Sequence, residues 1–315
     1  MLTTLAIITT TRCDLKCQHC LRGFPKERPD FPMELLDKLL TEAMPFGARH
    51  GALTGGEPHL HPQFEEMVEK IISYGYTWSF VSHGQRTEPY LPLMEKYPEK
   101  LKHLSLSIDG ARAETHDDLR GKKGAFEKVI ASARAYIEKG FDVRAGMTLN
   151  QINQGEIKDF IKLVENLGIR KIRFGGTIPT PWNQHLLFSD EEAVKLHQKI
   201  LELRKKTQVN INVTTSLYSR GGVNFCGAFN LSEFTFNSNR KLILCCDTIE
   251  SGFGIGSLKK FSLNELIQMW LAESARLQSH RTEKIASGII SEGFDTCGFC
   301  NQYLTSASIR KGSSI

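Results

Sequence analysis

No stretch of this 315-residue chain approaches the ~18 consecutive apolar residues that a membrane-spanning helix needs. Residues 1–8, ahead of the first polar cluster, are too short for a secretory signal, so the expected setting is the cytoplasm, away from any membrane. Tandem repeats and low-complexity tracts are missing as well. So is any block of like charge: Lys and Arg outnumber Asp and Glu by 40 to 35, but they are spread along the chain. That distribution describes a solvated surface, and the aromatic–basic interleaving of single-strand RNA readers is lacking, so nucleic acid is not indicated. Between residues 20 and 226 there is not one cysteine.

The cysteines that are present therefore fall into two groups. Cys13, Cys17 and Cys20 crowd into eight positions, and Cys226, Cys245, Cys246, Cys297 and Cys300 lie in the last third. In a reducing compartment disulfides are disfavoured, and such crowding points to metal binding or catalysis. Three thiolates cannot close a tetrahedral zinc site, and His19, flanked by two of them, is badly placed to be the fourth ligand. An iron–sulfur cubane normally takes four thiolates; with three, one iron keeps an open position.

Apolar residues at 40% and charged residues at 24% are ordinary for a globular protein, and the length suits one large domain with a smaller one. From residue 5 to about 174, β-rich runs (5–9, 51–55, 77–82, 101–108, 142–149, 171–175) alternate with helical patterns (33–43, 64–74, 89–97, 125–139, 156–167). Six βα units predict parallel strands in an incomplete barrel or an open sheet, short of the eight that close a full barrel. Residues 176–188 read as a Pro/Thr/Gly-rich linker, followed by a helix over 190–206. A hairpin with an Asn-Ser-Asn turn is expected in "SEFTFNSNRKLILCC", and a helix after Ser262, whose Glu265 completes a capping box. Leu266, Met269 and Trp270 on that helix read as core, and His59 and His61 as solvated loop residues.

The Cys-x3-Cys-x2-Cys spacing after the first strand of a βα-repeat chain resembles the radical S-adenosylmethionine (SAM) superfamily. Further segments agree: "LTGGEPHLHP" after the second strand, "SHG" at 82–84, and "LSLSIDGARAETHDDLRG" on the fourth strand. The resemblance spans residues 3–175. It implies a partial (β/α)6 barrel over residues 1–188, with Cys13, Cys17 and Cys20 holding a [4Fe–4S] cluster. Gly55, Gly56, Glu57, Ser82, Ser107 and Arg120 would bind S-adenosylmethionine. The implied reaction is one-electron cleavage to a 5′-deoxyadenosyl radical that abstracts hydrogen from a C–H bond, with a flavodoxin or ferredoxin as electron donor.

Residues 189–315 are similar to the twitch domain, a shortened SPASM module. The glycine usual before the hairpin's second strand is absent. The likeness implies an auxiliary [4Fe–4S] cluster on Cys226, Cys245, Cys297 and Cys300, with a four-thiolate zinc ion as the alternative reading. Cys246 is then left as either a buried thiol or a hydrogen donor to a substrate radical, as in radical epimerases. The expected substrate is a peptide undergoing ribosomal-peptide maturation by epimerisation, cross-linking or oxidation. A small molecule such as an amino sugar is the alternative, favoured by how early Cys13 arrives. A non-catalytic iron–sulfur or zinc protein is the third reading, and it leaves Gly55-Gly56-Glu57 unexplained. Arg144, Met147, Asn150 and Arg173 are candidates for the substrate pocket.

Overall fold

A computed structural model describes residues 2–23, 26–214, 216–217, 232–244, 254–288, 297, 299–300 and 302–306. In chain order the elements begin β1 (Thr4–Ile8), α1 (Leu36–Ala43), β2 (His50–Thr54), α2 (Phe64–Ser73), β3 (Thr77–Ser82), α3 (Leu91–Lys96) and β4 (Leu101–Ser107). There follow α4 (Ala113–Arg120), α5 (Ala125–Glu138), β5 (Val143–Leu149), α6 (Ile157–Asn166), β6 (Lys171–Gly176), α7 (Asp190–Arg204) and β7 (Asn210–Val213). The last are β8 (Glu233–Phe236), β9 (Lys241–Ile243), β10 (Gly256–Ser257) and α8 (Leu263–Ala286). This is the α/β partial barrel that the βα alternation implies.

Two compact units share these elements. The first comprises Met1–Arg12, Pro25–Trp78 and Arg220–Ile315; the second comprises Cys13–Phe24 and Ser79–Ser219. Within the first, β2 and β8 both pair parallel with β1, and β9 and β10 continue antiparallel from β8. The expected hairpin is thus present, but its first strand covers the edge that β1 would otherwise leave unpaired, which is how sheets protect such edges. Its turn also explains the absent glycine. Arg240, immediately before β9, takes the left-handed conformation (φ 69°) that a glycine adopts freely. The capping box at Ser262 forms as expected, and Leu266 and Trp270 are buried.

Within the second unit β4, β5, β6 and β7 run parallel in that order. Strand β7 was not expected: it is four residues long and only Ile211 of it is buried, too little to show a period. Helix α5 packs on β4 and β5, and Phe160 of α6 meets Phe174 of β6 at 5.8 Å between ring centroids. Residues 176–188 are not a loose linker. Thr177, Ile178, Thr180, Asn183 and Leu186 are all buried, and the Asn183 side chain ties the segment together by accepting from Thr180 N (2.8 Å) and donating to Ile178 O (2.9 Å).

Because a side chain in the left-handed region costs about 1–2 kcal/mol, Arg240→Gly is expected to raise stability by on the order of 1 kcal/mol. A higher denaturant midpoint at unchanged slope would show it; an unchanged or lower midpoint would mean that the turn is not strained.

Candidate active site

The cysteine loop is short, and its own backbone supplies little support beyond Cys20 N donating to Cys17 O (3.2 Å). The end of α4 supplies the rest. A helix terminus leaves carbonyls without intrahelical partners. Here Leu119 O accepts from Gln18 N (2.9 Å) and Asp118 O from Gln18 Nε2 (3.0 Å). Gly121 closes α4 at φ 64°, and any Cβ there would collide with the Lys16 carbonyl. On the loop's other side Trp182 donates its indole N–H to Cys20 O at 2.9 Å.

Arg120, the last residue of α4, then comes to lie against the thiols. One guanidinium nitrogen is 3.6 Å from Cys17 Sγ and the other is 2.6 Å from Asp109 Oδ2. Asp109 is fully buried. Its carboxylate also accepts from Thr148 N (2.7 Å) and meets His19 Nε2 at 3.2 Å, while its own N–H donates to His116 Nδ1 (3.1 Å). Burial would raise the Asp109 carboxyl, but Arg120 and then His19 hold it well below the usual carboxylate range. For Cys17 burial prevails and pushes the thiol up, with Arg120 opposing it. His19 points to Asp109, in keeping with its poor placement as a fourth ligand.

A second polar group flanks Cys13. Asp14 meets His83 Nε2 at 2.7 Å and Lys122 Nζ at 3.3 Å, and the His83 hydrogen bond keeps its carboxyl far below its ordinary range. Ser82 is buried and its hydroxyl accepts from Gly84 N (2.9 Å), so it stabilises its own turn. Ser107 is half-buried at the end of β4.

The Gly55-Gly56-Glu57 turn belongs to the first unit. Gly56 N donates to Thr10 O and Glu57 N to Arg12 O, both at 2.7 Å. A Cβ at Gly55 would lie 2.6 Å from Thr10 O, and one at Gly56 would collide with Arg12 O. Both glycines are therefore required by the chain's own backbone just ahead of Cys13, Gly55 at Thr10 and Gly56 at Arg12. Glu57 is buried with His59 Nδ1 3.2 Å from its carboxylate. His61 is buried too, bonded to Phe31 O (2.8 Å) and accepting from Gln63 N (3.0 Å). Neither histidine is the solvated loop residue expected, because the Pro58–Leu60 turn folds both inward.

Cys297 and Cys300 are half-buried and form no disulfide among the described residues, and His280 of α8 lies against Phe299 and Tyr303 beside them (ring centroids at 5.8 and 5.3 Å). Cys226, Cys245 and Cys246 fall outside the described residues. Of the pocket candidates, Met147 and Asn150 are buried, and Arg144 is paired with Asp142 (3.0 Å).

The donor set fits an iron–sulfur group. Cys13, Cys17 and Cys20 are not in disulfides, Cys13 and Cys20 are part-exposed, and the cation at Arg120 opposes the negative charge that thiolate ligation brings.

The Radical SAM superfamily model matches residues 7–164, half of the chain. This chain belongs to the radical SAM superfamily. Its cofactors are accordingly a [4Fe–4S] cluster and S-adenosylmethionine. Among its relatives, the antilisterial bacteriocin subtilosin biosynthesis protein AlbA of Bacillus subtilis is 24% identical over 284 residues, covering 86% of this chain and 62% of AlbA. The chain spans less than two thirds of the length of this and other curated relatives it matches. Streptococcus suis SuiB bound to precursor peptide SuiA shares the fold at a TM-score of 0.68 and 14% identity, over 86% of this chain and 65% of SuiB. Native anSMEcpe with bound AdoMet does so at 0.70 and 16%, over 88% of this chain and 84% of that one. Among the described residues no helix is long and apolar enough to cross a membrane.

Sequence reasoning missed Asp109, which looked like half of an Asp-Gly turn, and Trp182 and His116, which carry no local signal. Removing the Asp109 charge strips a negative group from beside the cysteine loop, so Asp109→Asn is expected to raise the midpoint potential of the reconstituted N-terminal cluster. It should also cost about 3–5 kcal/mol by leaving Arg120 buried and unpaired. A potential unchanged in a redox titration followed by electron paramagnetic resonance would remove Asp109 from that role.

His116 gives a pH dependence. Burial, and then Arg120, lower it from 6.5 to about 4. The unfolded chain therefore binds more protons between these values, and the contribution of neutral His116 is complete above pH 6.5 and lost as pH falls towards about 4. Over that range the melting temperature of the metal-free protein should fall more steeply than that of His116→Gln. Parallel curves would contradict the assignment.

Proposed function

We propose that this chain is a radical SAM enzyme that abstracts hydrogen from a C–H bond of a peptide, in the maturation of a ribosomally made product. One observation carries the reading: three cysteines outside any disulfide on one loop, set beside the buried Arg120–Asp109 pair. When bound, the cluster and S-adenosylmethionine supply reductive cleavage to a 5′-deoxyadenosyl radical. The chain's own residues do the holding. Cys13, Cys17 and Cys20 ligate; Arg120 offsets charge at Cys17; Gly55, Gly56, Glu57, Ser82 and Ser107 are assigned to S-adenosylmethionine from the family resemblance. Since Arg120 is already engaged by Asp109 and Cys17, its primary role is at the cluster, with the cofactor carboxylate a further partner.

The peptide reading is supported by AlbA, named for bacteriocin biosynthesis, and by SuiB, seen with a precursor peptide. Residues 189–315 would form the auxiliary module, with Cys226, Cys245, Cys297 and Cys300 as ligands and Cys246 as a candidate hydrogen donor. A flavodoxin or ferredoxin would supply the electron.

Anaerobic reconstitution is expected to give two clusters, and the triple variant Cys13→Ala, Cys17→Ala, Cys20→Ala should keep one and form no 5′-deoxyadenosine under dithionite. Cleavage by the triple variant would disprove the ligand assignment. Co-expression with a short peptide encoded beside the gene should change that peptide's mass or, for an epimerisation, the chirality of one of its residues after hydrolysis. A modified small molecule and an unchanged peptide would overturn the substrate class.

A further inference from the structure

Strands β4 to β7 have two unlike faces. Leu104, Leu106, Ala145, Met147, Ile172 and Phe174 alternate into the buried face, the side on which α5 and α6 pack. The opposite face is polar and accessible, and among the described residues of these four strands it carries no acidic side chain. Three cations stand on it. Two are matched: Arg144 and Lys171 both reach Asp142, at 3.0 and 3.3 Å. The third, Arg173, is exposed in mid-strand, and its side chain makes no hydrogen bond or ion pair among the described residues.

Register places Arg173 in a definite setting. Across the sheet Ser107 pairs with Gly146, Gly146 with Arg173, and Arg173 with Asn212. Ser107 and Arg173 therefore face each other two strand spacings apart, about 10 Å. Between them Gly146 has no side chain, and only Leu106 O, at 3.8 Å, comes near where a Cβ would be. The result is a slot with a glycine floor, a hydroxyl on one wall and an unmatched guanidinium on the other.

A planar guanidinium with free N–H groups, beside an open floor, suits a carboxylate bound through two parallel hydrogen bonds. We propose that Arg173 is the substrate's carboxylate receptor, binding an aspartate or glutamate side chain of a peptide that lies over Gly146. This rests on the peptide reading above and adds a sequence preference to it. The carboxylate of S-adenosylmethionine has the same chemistry, and the test separates the two.

The reconstituted protein would be incubated anaerobically with S-adenosylmethionine and a random heptapeptide library, acetylated and amidated so that side chains hold the only carboxylates. Retained peptides would be sequenced by mass spectrometry. Wild-type protein is expected to enrich Asp or Glu over Asn or Gln about tenfold at one position, the preference of a charge-assisted pair worth about 1.4 kcal/mol. Arg173→Gln should abolish the enrichment, Arg173→Lys retain part of it, and Arg173→Glu reverse it towards Lys and Arg. Peptides retained without acidic preference, or with a preference that survives Arg173→Gln, overturn the proposal and leave the peptide reading standing. Retention of no peptide overturns both. If equilibrium dialysis shows Arg173→Gln losing S-adenosylmethionine affinity while peptide preference is intact, the guanidinium serves the cofactor and the proposal fails.

Discussion

The buried carboxylate of Asp109 is the point on which the cysteine loop depends. It sits one residue beyond the usual helix-covered alternation of β4, where β4 would otherwise simply end. From there it gathers the N–H of Thr148 on β5, the guanidinium of Arg120 on α4, and the ring of His19 from between two cysteines. Asn153 closes the set by donating to the Asp109 carbonyl (3.0 Å). A buried ion pair is a poor source of net stability, since desolvation offsets most of the attraction, and apolar residues of the same volume often serve better. What an apolar replacement lacks is the ability to hold a cation against a sulfur atom. Retaining charges here makes sense if the sulfur itself is meant to carry negative charge.

How the rest of the loop is held follows from unsatisfied backbone groups. Helix α4 ends with carbonyls that have no i+4 partner, and Gln18 supplies donors to two of them, Leu119 O and Asp118 O, the latter shared with Gly121 N (3.1 Å). The loop's position is thereby tied to a helix whose last residue is also Arg120, so the same element that anchors the backbone delivers the cation. Gly121 permits both by turning the chain where a side chain would strike Lys16.

Much of this fold could be read from periodicity. Apart from α4, which no helical stripe announced, the strands and helices from β1 to α7 are long enough to display alternation or a helical stripe, and the three cysteines are an unmistakable local pattern. What was not legible depends on burial that only tertiary contacts create. Asp109-Gly110 reads as a turn and becomes a charge hub because α4 folds back over it. His59 and His61 read as solvated because their neighbours are polar, yet the turn that holds them faces the chain. Residues 176–188 have linker composition, but Asn183 bonds internally and packs the segment down. Strand β7 exists because β6 leaves an edge to extend, not because "NINV" insists on being a strand. The cofactor residues were legible only through family resemblance, since nothing in a glycine pair or a lone serine announces what it binds.

The alternation itself carries a functional consequence. Parallel strands covered by helices on both faces read as continuous apolar runs. "LSLS", "VRAGMTL" and "KIRF" instead alternate strictly, so one face of β4–β7 is built to stay uncovered. An uncovered face made of hydroxyls, glycines and cations is costly to desolvate unless a ligand answers its polar groups. Two of its three cations have Asp142 as their answer, whereas Arg173 beside a bare glycine does not. The sheet thus stabilises the protein through one face and leaves the other chemically incomplete, and the register at which it is incomplete is the one that Ser107 shares.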